Sequence, residues 1–171
     1  MSLKINDCEE TIFSLMKVYE ECEPVLVDET IDLVDLAKEL FSSGVLNCKL
    51  FDNKSYLGGL FKFHLVLHRS PHAETNPTVY DMEKFGISKG YQSTNVRDLL
   101  FFYKACRERN DRKVIELLKS KEVVATDSNV HFGSGAYHVG AMIKGMSDFN
   151  IHAFNGNCPR FILVLMKEEI K

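Results

Sequence analysis

The chain has 171 residues, 45% of them apolar and 26% charged, and a net charge of −3. That balance excludes wholesale disorder and suits one globular domain. No apolar run reaches the roughly 20 residues of a membrane span. The first residues lack the basic and apolar regions of a secretory signal, so neither a membrane nor export is expected. Five cysteines without a CxxC pair read as reduced thiols of a cytoplasmic or otherwise intracellular protein.

The charge is unevenly spread. Residues 1–40 hold eleven acidic and three basic side chains, so they carry −8 and the remainder carries +5. A local basic cluster runs from Lys104 to Lys121. Solvated faces of opposite sign are the plain reading, and a bipolar surface that steers a partner is the functional one. Nucleic acid is not an expected partner, because no long basic run is interleaved with aromatics.

Taken in chain order, residues 8–22 place Ile12, Leu15, Met16 and Tyr19 at helical spacing, and Pro24 ends that helix. Residues 29–42 repeat the period with Ile31, Val34, Leu36 and Leu40. "LFKFHLVLHR", 60–69, alternates like a strand and is also short enough for a buried helix. Residues 70–77 read as a loop, and 78–86 as a short helix stopped by Gly86. Residues 95–119 carry the clearest pattern, a helical hairpin. Val96, Leu99, Leu100, Tyr103 and Cys106 share one face, "RERND" breaks it, and Asp111 caps a second helix with Val114, Leu117 and Leu118 inward. "KEVVATDSNVHFG" reads as turn-rich. "CPRFILVLMKEEIK" reads as a buried segment with a charged end.

Segment ends echo one another at 36–53, 80–95 and 114–129, as stacked repeats do. With "GSGAYHVGA" at 133–141 and "KACRERNDRKVIELL" at 104–118, the chain resembles the ankyrin repeat family. Gly133, Gly135, Ala136, Tyr137 and His138 stand where that family has its glycine-x-Thr-Pro-Leu-His start, and His64 stands in a second histidine position. The resemblance implies a mostly α single domain, 1–171. Divergent repeats of stacked helical hairpins with short β-turn projections would occupy about 25–160, behind an acidic N-terminal helical cap. It implies a non-catalytic scaffold or adaptor that binds another protein through turn tips, here Asn53, Lys54, Tyr91, Gln92, Asn129 and His131. A hairpin of this size must be covered by neighbours to bury its apolar face. The alternative fold is a compact α+β domain in which 60–69 and 160–166 pair as strands.

Chemical readings of the same residues are weaker. "GSG" matches neither of the glycine-rich phosphate motifs and reads as a turn. "HFGSGAY" is similar to a segment of ADP-ribosyltransferases, with "LHRS" as a partial second match. That alternative implies NAD held by His68 and Tyr137. His64 and His68 on a strand would lie about 13 Å apart, too far for one zinc ion. No metal site, no cofactor and no nucleophilic cysteine is expected.

Overall fold

The computed structural model describes residues 10–20, 22–42, 49, 51, 56–69, 77–145, 148–152 and 162–171. Eight strands form one mixed sheet. They are β1 (Met16–Tyr19), β2 (Val25–Val27), β3 (Gly59–His68), β4 (Gln92–Ser93), β5 (Glu122–Phe132), β6 (Gly135–Lys144), β7 (Asp148–His152) and β8 (Ile162–Glu169). The helices are α1 (Leu33–Leu40), α2 (Val79–Ser88), α3 (Val96–Arg109) and α4 (Arg112–Lys119). The main strand order is β1-β3-β8-β5-β6-β7, with β2 also paired to β3 and β4 to β8. β5 runs parallel to β8, and the other pairs are antiparallel.

This is not a helical solenoid, and the repeat architecture is overturned. The segment 60–69, which would have been a first repeat helix, is the long strand β3, paired with β8 on one side and with β1 and β2 on the other. The stretch read as turn-rich, 121–133, is almost wholly β5, and "GSGAYHVGA" is the turn after it and the first part of β6, its hairpin partner. Gly133 takes a φ of 57° in that turn, where glycine is unstrained. The helix expected over 8–22 gives way to strand at Met16, because Met16, Lys17, Val18 and Tyr19 pair with His68, Leu67, Val66 and Leu65. Tertiary pairing has overridden local period there.

Period two divides the sheet into two faces. Phe61, Phe63 and Leu65 of β3, Leu163 and Leu165 of β8, and Val123 and Ala125 of β5 point to the larger core. α1, α3 and α4 cover that face with Leu33, Leu36, Leu99, Leu100, Phe102, Val114 and Leu118. Val66, Val124, Met142, Val164 and Met166 point the other way, toward Val79, Met82 and Phe85 of α2. The hairpin expected over 95–119 is present as α3 and α4. Asn95 and Asp98 form a capping box, Asn110 ends α3 in the left-handed conformation, and Asp111 caps α4. Gly86 does not stop α2, which continues to Ser88. A Cβ at Gly86 would come within 2.7 Å of Met166, so glycine there lets the helix lie close on β8.

The uneven charge is partly spent inside the molecule. Lys104 of α3 pairs with Glu39 of α1 and Glu108 of its own helix. Arg107 donates to the Leu40 carbonyl and Arg109 to the Pro24 carbonyl. Arg97, buried, donates to the carbonyls of Asp28 and Ile31 at 2.9 and 2.6 Å. The basic helix therefore stitches the acidic segment to the core.

Candidate docking face

β2 is short and wholly apolar, "VLV", and its burial alternates. Val25 and Val27 are buried while Leu26 points outward and is 67% exposed. Its register partner on β3 is Leu60, 41% exposed. Leu57, just before β3, is 75% exposed. Ile170, just after β8, donates its backbone N–H to the Leu60 carbonyl. Leu26, Leu60 and Ile170 thus form one row across three neighbouring chain segments. The next row pairs Lys62 with Glu168, and the next His64 with Met166. α2 covers Val66, Val164 and Met166, so this face of the sheet is helix-covered at one end and, among the described residues, bare of helix at the leucine end.

A polar border stands between the two parts. His64 is 2% exposed, and its Nε2 lies 3.2 Å from Glu168 Oε2. Its ring stacks on Tyr91 with centroids 3.9 Å apart, and the Tyr91 hydroxyl donates to Glu20 at 2.7 Å. Burial pushes the His64 pKa below its ordinary value, against the opposing pull of Glu168 and Glu20. Burial, and then the bond to Glu20, push the Tyr91 phenol up to about 12. Both groups are therefore neutral around pH 7.

Beside Leu57 lies a hollow of about 490 Å³ lined by Glu29, Thr30, Ile31, Asp32, Tyr56, Leu57 and Arg97. Glu29 accepts from the Gly58 backbone N–H at 3.0 Å, and Asp32 caps α1. A second, smaller pocket of about 270 Å³ contains Cys22 and Cys106. Burial pushes the Cys106 thiol up to about 12, which keeps it protonated and poorly nucleophilic.

Among the described residues, those singled out in the sequence do not converge on one patch. Asn53 and Lys54 lie outside the described residues. Tyr91 stands on the border just described, and Gln92 is exposed next to it on β4. Asn129 and His131 are exposed on β5, two strands away from β3. The Asn129 backbone N–H and carbonyl both bond the Tyr56 hydroxyl. His68 and Tyr137, the pair implied for NAD, sit on β3 and β6 with β8 and β5 between them. At a strand spacing near 4.8 Å that is about 14 Å sideways, and Tyr137 lies well along β6 from the register position opposite His68. The strands do not bring them together. No group of three or more metal-ligating side chains occurs among the described residues.

Comparison of the chain with protein-family models, with curated proteins and with solved structures finds no match. No helix among the described residues is long and apolar enough to cross a membrane.

Proposed function

We propose that this protein is a protein-binding module that receives a partner on the helix-free end of its sheet. One observation carries the reading: Leu26 and Leu60 face each other in register and are both exposed. Leu57, more exposed still, lies close by in the chain. Isolated exposed apolar residues are ordinary, but neighbouring ones rimmed by polar groups mark interaction surfaces. β2 also has one pairing partner, β3, among the described strands, so its outer edge offers backbone groups as well. The buried imidazole of His64 is stacked on Tyr91 and held by Glu168, a structural role that leaves the exposed leucines as the feature to explain.

The test is site-specific photocrosslinking in the native host. A benzophenone side chain replaces Leu57 in one variant and Ile87, exposed on α2, in another. A dominant adduct with one protein at position 57 and not at 87, identified by mass spectrometry, is expected. Equal capture at both positions, or none at 57, would remove the leucine end as the docking site.

A further inference from the structure

Independently of the docking role, we propose that Cys22 and Cys106 are a modification site. They form a dithiol that a peroxide-class oxidant converts to a disulfide, clamping the segment before β2 onto α3.

Several observations place the two side chains together. Both are thiols, 8% and 7% exposed, and both line the pocket of about 270 Å³. They belong to one apolar cluster, with Val25, Phe102, Ala105 and Val114 beside them on the pocket wall. The segment is held from α3 itself. Arg109, one turn after Cys106, donates to the carbonyl of Pro24, two residues after Cys22. Side chains three apart on a helix share a face, so Cys106 is turned toward the segment that Arg109 grips. Burial, and then the charge of Cys22, raise the Cys106 pKa, and the second effect needs the two sulfurs to be near each other. A disulfide requires β-carbons within about 4.5 Å, and two segments fixed to each other hold such a pair ready.

The oxidation balances with hydrogen peroxide alone, a molecule little larger than the water such a pocket can hold. Burial keeps Cys106 protonated, so Cys22 begins. Its thiolate attacks one peroxide oxygen and the O–O bond breaks. The hydroxide released takes up the proton that Cys22 gave up, and Cys22 is left as a sulfenic acid. Its charge then no longer opposes ionisation of Cys106. The Cys106 sulfur attacks the Cys22 sulfur, the S–O bond breaks, and hydroxide leaves with the Cys106 proton as a second water. Two thiols give up two electrons and the peroxide takes them. The disulfide closes a loop of about half the chain and fixes β2, which carries Leu26, against α3.

Hydrogen peroxide in small molar excess is added to the full chain, remaining thiols are blocked with iodoacetamide, and the products are mapped by digestion and mass spectrometry. The expected product joins the Cys22 peptide to the Cys106 peptide with the loss of two hydrogens. It should form at least about tenfold more in the native chain than in urea, because the fold holds the sulfurs at high effective concentration. The variant C8A/C48A/C158A, which keeps only this pair, should give the same product. The linked chain should melt several degrees higher, as closing a long loop restricts the unfolded chain, and dithiothreitol should reverse both changes. Two intact thiols, sulfinic acid at Cys22 beside an unreacted Cys106, a link from either to Cys8, Cys48 or Cys158, or equal linkage in urea would overturn the pair. So would a linked chain that melts no higher than the reduced one, since the bond would then form only by distorting the fold.

Discussion

The ring of His64 lies flat on the ring of Tyr91, 14° from parallel and 3.9 Å away between centroids. The stack joins β3 to the residue before β4 and separates the helix-covered end of the sheet from the leucine end. Its members reach outward to Glu168 and Glu20. The border of the docking face is therefore also the place where pH acts on the fold.

The sign follows from burial. His64 has its pKa depressed in the folded chain, so the unfolded chain takes up the proton first as pH falls. The stability linked to His64 is complete above the ordinary histidine value of 6.5 and is lost as pH drops from there toward the folded value. Charged groups facing the ring are Glu168 on β8, Glu20 after β1 and Lys62 on β3. Melting temperature measured from pH 8 down to pH 5 should fall for the native chain and fall less for His64→Gln. Parallel curves for the two proteins would contradict this.

Tyr91→Phe keeps the stack and removes the bond to Glu20, and should cost about 0.5–1.5 kcal/mol. Tyr91→Ala removes both and should cost more. Urea unfolding of the two variants separates the contributions, and equal losses would show that the stack contributes nothing.

Asp98, fully buried in α3, bonds Lys167 of β8 at 2.8 Å, and the Lys167 ammonium also lies 4.3 Å over the Phe61 ring. Burial raises the Asp98 pKa, with Lys167 and the Asn95 amide pulling it back. Lys167→Met would leave that carboxylate without its cation, and a cost of about 3–5 kcal/mol is expected. The double variant Lys167→Met with Asp98→Asn should recover part of the loss. Denaturant titration of the three proteins checks it.

Arg97 holds two carbonyls of the segment that walls the hollow. Arg97→Lys has no planar fork to hold both, so amide exchange at residues 28–32 should accelerate more than exchange elsewhere. Uniform exchange across the chain would show that Arg97 acts only on global stability.

The sequence was most readable where local signals and packing agree. The pattern at 95–119 became α3 and α4, with Asp111 as the cap. Even there Leu117 is only partly buried while Leu118 is fully buried, so Leu118→Ala should cost roughly 2–5 kcal/mol and Leu117→Ala less. It was least readable where strands are made by distant partners. Glu122–Phe132 carries polar residues and a bulge after Ala125, which breaks the alternation that marks a strand. Met16–Tyr19 has helical spacing and becomes strand through β3. The docking face had no local signal: "VLV" at 25–27 is apolar throughout, and only the structure shows that Val25 and Val27 face inward while Leu26 does not. Its pairing with Leu60 depends on a register no short window contains. Tyr91 was singled out for another reason, and its partners His64 and Glu20 are distant in the chain.

The most direct test is the affinity of the protein crosslinked at position 57 for the native chain and for L26S/L60S, measured by calorimetry on purified components. Both leucines are exposed, so the melting temperature should hardly move, with a stability change within about 0.5 kcal/mol. Binding should weaken at least about tenfold, as removal of central apolar anchors does. Full affinity in L26S/L60S, with the fold intact, would contradict a docking role for this end of the sheet.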